Sequence, residues 1–195
     1  MTQAASPDVA NAWEAEVLAQ TQHWLLAAVI GLNLCPFAKA VVVKQRVRYR
    51  ITDAHEPEAV LALLRDELLH LQAADPAALD TTLLIAPNVL PDFFEFNQFL
   101  AECDDVLDAL DLVGELQVAD FHPRYQFGGT QPDDMGNCTN RAPYPILHLL
   151  RESSIDEAVA AFPDAATIFE RNIQVLNELG PEGWQALMHN QPKTD

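Results

Sequence analysis

From His122 to Pro145 the chain carries no apolar periodicity, although most of the sequence on either side does. The segment holds Pro123, Pro132, Pro143 and Pro145, the pair Gly128-Gly129, and Gly136. These residues fix or free the backbone in ways that helix and strand interiors do not tolerate. A structureless stretch this long is uncommon in a compact domain, and is usually functional or disordered. Phe121, Tyr125, Phe127 and Tyr144 supply aromatic anchors and no low-complexity run occurs, which points to order. The bland reading is a structural loop tied down by Asn and Asp turns.

The regular elements are read around that segment. Trp13, Val17, Trp24, Leu25, Ala28 and Val29 recur near helical spacing and predict a helix from Val9 to Ile30, with Gly31 at its end. Pro36 suits the first turn of a short helix that follows. Arg46 to Thr52 alternates arginines with Val47, Tyr49 and Ile51, a half-buried strand with a cationic outer face. That face is expected to be solvated or partnered by acidic helices. Glu56 to Gln72 is an amphipathic helix, and Thr81 to Ala86 is a short buried strand. Asp92 caps a helix running to about Val113, with Phe96, Phe99, Leu100, Cys103, Val106, Leu107 and Leu110 on one stripe. Glu115 to Phe121 is a third strand.

After the segment, Pro145 to Glu152 is read as a short helix that places Tyr144, His148 and Arg151 on one side. A capping-box pattern at Ser154 and Glu157 starts another helix to Phe162. Pro163-Asp164 breaks it, and a further helix from Ile168 ends at Gly180. Pro181 to His189 adds one or two helical turns.

Strand–helix–strand order favours right-handed parallel crossovers. The expected fold is α/β or α+β: a small, mainly parallel sheet of about three strands, helices packed on it, and a helical C-terminal region. With 195 residues, one domain is expected over 1–195, with residues 1–7 and 190–195 flexible. In such sheets, ligands sit beyond the carboxyl ends of the strands. His122 is the first residue past the third strand.

A formal charge of −18 argues against nucleic acid and anionic membrane as partners, since both need a cationic footprint. No run of about 18 apolar residues marks a membrane span. The N-terminus lacks the basic and apolar regions of a secretory signal. Cys35, Cys103 and Cys138 form no CxxC pair and no zinc spacing, an odd, sparse set that suits a reducing cytoplasm. Cys103 lies on a core stripe. Eight of the 11 Lys and Arg residues fall in two places, at 39–50 and 124–151. An acidic chain that concentrates its cations does so either to hold an anion or to pair its own carboxylates.

Three functional readings follow. In the first, a small anionic metabolite is bound or transformed at the 122–151 segment. His122 is then the general acid or base, since imidazole titrates near neutrality, and His148 is a second proton-transfer group. Arg124, Arg141 and Arg151 hold a carboxylate or phosphate, which Arg does bidentately. Tyr125, Gln126, Asn137, Asn140 and Tyr144 orient the ligand. Cys35, ahead of a helix N-terminus with Lys39 one turn on, is a nucleophile only if it folds beside His122 or His148. In the second reading Asp120, His122 and His148, with Asp133 or Asp134, ligate Zn, Fe or Mn, though the spacing matches no recognised ligand pattern. In the third, the segment is a non-catalytic scaffold and the acidic helices meet a protein partner. No P-loop, dinucleotide fingerprint or GxSxG elbow is present. Oligomeric state and cofactor are not legible.

The segments GLNLCPFAKA, FHPRYQFGG and NCTNRAPYPILHLLRE resemble a bacterial family labelled only as a domain of unknown function, number fourteen-fifteen. The likeness spans about Trp24 to Gly180. It implies a single-domain, soluble bacterial protein, and it carries over no activity, cofactor or catalytic residue.

Overall fold

The computed structural model describes residues 7–161 and 167–189. The expected flexible ends and the break at Pro163-Asp164 lie outside those residues, except for Pro7, which opens the first helix. α1 spans Pro7–Trp24 and runs on as a π-helical turn, Leu25–Ile30. Gly31 closes that turn with Gly31 N–H donating to Leu26 O at 3.0 Å; a Cβ there would meet the Ala27 carbonyl. α2 (Ala38–Val43) precedes β1 (Val47–Ile51), and α3 (Pro57–Ala73) leads to β2 (Thr81–Ile85). α4 (Phe93–Ala109) leads to β3 (Leu116–Phe121). A 3-10 turn, Met135–Asn140, interrupts the long loop before β4 (Ile146–Arg151). α5 (Glu152–Ala161) and α6 (Ile168–His189) complete the chain. α6 is broken at Gly180, whose φ of 69° lies outside helical space just before Pro181.

The helix at Asp92 stops at Ala109, four residues before Val113. The cause is local: Asp111 takes φ 56°, and Asp111 N–H and Leu112 N–H turn back to the carbonyls of Asp108 and Leu107. That is a Schellman-type stop, with Asp tolerating the left-handed position usually given to Gly.

The sheet has four strands in the order β1-β2-β4-β3, and it is mixed. β1 and β2 are parallel, whereas β4 is antiparallel to both β2 and β3. This corrects the expectation of a three-stranded, mainly parallel sheet. It also corrects the helix expected over Pro145 to Glu152, which is β4. The sequence ILHLLR fits one helical turn and an apolar strand equally well, because short apolar runs are ambiguous by periodicity. Position decides: β4 sits between two strands whose backbone groups need partners. Its two faces bury Ile146 on one side and Leu147 and Leu149 on the other. Tyr144, His148 and Arg151 therefore do not share a helical side. His148 and Arg151 project to opposite faces of the sheet.

Since β4 runs against both neighbours, β1, β2 and β3 still point the same way. Their carboxyl ends share one edge, from which the 122–145 segment departs. One sheet face carries Leu84, Leu147, Leu149 and Leu116 against α3 and α4, with Leu64, Leu68, Phe96 and Phe99 filling the layer. The other carries Ile51, Leu83, Ile85 and Ile146 against α1 and the π-helical turn, with Trp24 and Ala28 between them. Arg48 and Arg50 are partnered by an acidic helix: Arg48 holds buried Glu67 of α3 at 2.7 and 3.1 Å, and Arg50 lies 3.5 Å from it. Among the described residues, no helix is long and apolar enough to cross a membrane.

Candidate functional site

The 122–145 segment is ordered by its own polar side chains. His122 anchors its start. The side chain is 0 % exposed, stacks on Phe96 at 5.1 Å and lies 5.5 Å from Phe93. His122 Nε2 lies 3.1 Å from Leu90 O, and Arg124 N–H donates to His122 Nδ1 at 3.0 Å. The two contacts fix a neutral tautomer with the proton on Nε2. Burial and the Arg124 charge hold the His122 pKa below its ordinary value, against the raising effect of the Leu90 carbonyl. In this arrangement His122 is an internal brace with both nitrogens engaged.

Asn137 is the second pin and is also 0 % exposed. Its Oδ1 accepts from Phe127 N–H at 3.0 Å and from the Thr130 hydroxyl at 2.9 Å, while Nδ2 donates to Gln131 O at 2.7 Å. Arg141 is the third. Its Nε donates to Tyr125 O at 3.2 Å and its Nη2 to Pro132 O at 2.6 Å. Asn140 Nδ2 ties the segment back to Asp120 O at 3.2 Å. Side chains that mimic or complete backbone turns are the usual way to order such a loop.

Arg151 lies at the far end of β4, paired with Leu116, about 17 Å along the strand from Ile146. Buried there, its Nη2 donates to Leu71 O and Ala74 O and lies 3.4 Å from Leu79 O. It closes the carboxyl end of α3 and is remote from His122. Tyr144 is committed to α1, donating to Gln20 Oε1 at 2.7 Å. Cys35 packs with the α1-side core, across the sheet from Phe93 and Phe96. Among the described residues no hydrogen bond joins it to either histidine.

The metal set is not assembled either. In the β3–β4 register Asp120 is opposite Leu147 and His148 is opposite Ala119, so the two side chains leave opposite faces. Both ring nitrogens of His122 are occupied, and Asp134 caps the Gln131 amide at 2.8 Å. Among the described residues no three His, Cys, Asp or Glu side chains converge.

What the segment does build is a shallow groove of about 460 Å3 against the start of α4. Phe93, Phe94 and Phe127 give it apolar walls, and Gly128 and Gly129 leave one side without side chains. Arg124 and Gln126, two of the sequence candidates, lie in it. Arg124 is 62 % exposed, and its Nη2 donates to Pro91 O and lies 3.4 Å from Asp92 Oδ2. Nε and Nη1 meet no acceptor among the described residues. Gln126 Nε2 donates to Thr130 O at 2.6 Å. The rings form a ladder from Phe93 through Tyr125 to Phe127, with centroids 4.9 Å apart at each step.

Sequence reasoning passed over Phe93 and Phe94. One signal was available: Phe94 falls off the Phe96–Phe99–Cys103 stripe, and it stands 68 % exposed. It also treated Asp120 only as a metal ligand. Asp120 Oδ2 is buried without a partner among the described residues, and burial lifts the carboxyl pKa to about 6. A carboxyl with a raised folded-state pKa stabilises the fold below its unfolded value, near 3.8, and that contribution is lost as pH rises through about 6. Asp120→Asn is therefore expected to stabilise the protein at pH 7 by roughly 1–2 kcal/mol, allowing for partial exposure. The gain should shrink toward pH 4, and melting curves of both proteins across that range check it.

A family model described as "Protein of unknown function (DUF1415)" matches residues 16–186. No curated protein and no solved structure matches the chain. All four strands and the whole 122–151 segment fall inside the matched stretch, and the chain belongs to that family.

Proposed function

We propose that the protein binds a small anionic molecule with an apolar body in the groove between the start of α4 and residues 124–132. The observation that carries this reading is Arg124. It is exposed, its backbone is locked by a neutral His122, and its Nε and Nη1 donors are unspent beside three phenylalanines, while Nη2 is held by Pro91 O and Asp92. A free guanidinium N–H gives a carboxylate or phosphate oxygen a charge-assisted hydrogen bond, and Nε and Nη1 each offer one here. The Phe walls take the remainder of the ligand, and the bare Gly128-Gly129 edge lets it approach the backbone. Asp92 disfavours the anion by charge but also holds Arg124 in place.

The anion reading thus rests on one arginine. Arg141 and Arg151 direct their guanidinium groups to backbone carbonyls, and Asn137, Asn140 and His122 are consumed in ordering the segment. This favours, as a second reading, a scaffold whose exposed aromatic ladder meets a protein. The ladder ends on Phe169, 54 % exposed and 6.1 Å from Phe127.

A thermal-shift series with aromatic and aliphatic carboxylates and phosphates separates the two. Binding to the native state raises the melting temperature by mass action. Arg124→Gln is expected to weaken the binding anion roughly tenfold to a hundredfold, the value of a charged hydrogen bond. Its own melting temperature should stay near that of the parent, because the side chain is exposed. Absence of a shift with every anion contradicts the proposal and leaves the scaffold reading.

A further inference from the structure

The groove at Arg124 carries a second charge, and a simple anion leaves it without a role. Asp92 lines the groove too, with its Oδ2 3.4 Å from Arg124 Nη2. The two oxygens of this carboxylate have different duties. Oδ1 caps α4, accepting from Phe94 N–H at 2.9 Å and from Glu95 N–H at 3.2 Å. Oδ2 meets only Arg124 Nη2 among the described residues, and 3.4 Å is longer than a close charged hydrogen bond of about 2.7–2.9 Å. Arg124 is spent in the same partial way, since Nη2 is engaged and Nε and Nη1 meet no acceptor among the described residues. The groove therefore presents an underused acceptor and unspent donors side by side, both open to solvent.

The charge of the whole chain points the same way. At −18 the protein repels a ligand of net negative charge, and Asp92 adds to that repulsion inside the groove. A ligand that brings its own cation to Asp92 escapes both penalties. Its two charges must lie as close together as the Arg124 and Asp92 groups do, which suits charges carried on a single carbon. Size and polarity limit the rest of the molecule. A volume of about 460 Å3 falls at the lower end of small-molecule sites, roughly 300–1,000 Å3. Phe93, Phe94 and Phe127 offer only apolar surface, and Phe94 is exposed until something covers it. A Cβ at Gly128 or Gly129 would meet no atom within 4 Å, so that side of the groove is open to a ligand.

We infer that the groove takes an α-amino acid with an apolar or aromatic side chain. Its carboxylate lies on Arg124 Nε or Nη1, its ammonium on Asp92 Oδ2, and its side chain against the phenylalanines. The inference rests on the anion-binding function proposed for this groove and narrows the ligand from anions at large to zwitterions. The ammonium turns Asp92 from an obstacle into a partner, and the four charges then alternate in sign around the ligand.

The test is isothermal titration calorimetry of the full chain near neutral pH with three ligands of similar shape. L-Phenylalanine carries both charges, 3-phenylpropionate only the carboxylate, and phenethylamine only the ammonium. The inference expects L-phenylalanine to bind about fivefold to tenfold more tightly than either of the others, the worth of a partly screened charged contact. Asp92→Asn should erase the advantage over 3-phenylpropionate while that anion binds at least as tightly as before. Asparagine is as good a helix cap as aspartate, so the variant should keep its melting temperature. If L-phenylalanine binds no better than 3-phenylpropionate, or if Asp92→Asn weakens both equally, the inference is overturned, while Arg124-dependent binding of 3-phenylpropionate still upholds the anion site. If neither carboxylate binds, both fall.

Discussion

Replacing Arg151 with Met is expected to cost about 4 kcal/mol and to lower the melting temperature by roughly 10 °C. The guanidinium is buried at the carboxyl end of α3 and donates to Leu71 O and Ala74 O, with Leu79 O nearby. Helix C-terminal carbonyls have no partner within the helix, and a cation there also meets the negative end of the dipole. Met fills most of the volume but supplies no donor. Leu71 O keeps the Ala74 N–H at 3.2 Å, but Ala74 O and Leu79 O lose their donor at half-buried positions and the cavity left by the fork is apolar, which costs more than the original bonds were worth net. Arg151→Lys should recover only part of the loss, since one ammonium cannot reproduce the planar fork. A loss below about 1 kcal/mol for Arg151→Met would show that other groups satisfy those carbonyls.

The second large effect is expected at Asn137. One amide satisfies Phe127 N–H and Gln131 O and lies 2.9 Å from the Thr130 hydroxyl, which it shares with Phe127 O. Asn137→Leu is close in size and removes all three bonds from a fully buried position, for an expected loss of about 3 kcal/mol. The consequence is local as well as global. Amide hydrogen exchange at Phe127 and Thr130 should accelerate by more than the global destabilisation explains, because the segment opens without the sheet. Anion binding in the groove should weaken too, since Phe127 and Gly128 form part of its wall. Asn137→Ser keeps a small polar group at the site, with one hydroxyl to share among the three partners. It should fall between the parent and Asn137→Leu. Unchanged exchange in Asn137→Leu would contradict the pinning role.

These two residues show where sequence reasoning stopped. The regular elements were legible: α3 and α4 follow their apolar repeats, β2 is a short bounded apolar run, β3 follows from its length and position, and Asp92 caps α4 through bonds to Phe94 and Glu95 N–H. β4 was not legible, because ILHLLR satisfies two templates and only the empty place between β2 and β3 chooses between them. That choice moved His148 and Arg151 apart. The long segment could be recognised as ordered, but the use of each polar side chain could not be read. Whether an arginine meets an anion or a carbonyl depends on which backbone groups the fold leaves unpaired. Arg141 and Arg151 met carbonyls; Arg124 kept donors free. The groove's walls were hidden for a related reason, since Phe93 and Phe94 belong to a helix whose core stripe is elsewhere.

His122 illustrates how a candidate catalyst becomes a support. Its neutral state is required for Nδ1 to accept from Arg124 N–H. With the folded-state pKa depressed, this contribution is present above the unfolded value near 6.5 and is lost as pH falls through the folded value. The groove should therefore loosen at the Arg124 backbone in acid before the sheet unfolds.

The most direct measurement is the NMR signal of the Arg124 side chain, Nε–Hε, during titration with small carboxylates and phosphates. The account predicts that a binding anion moves the Arg124 resonance while those of Arg141 and Arg151, already committed to carbonyls, stay in place. Equal movement of all three arginines, or movement of Arg141 or Arg151 without Arg124, would contradict it.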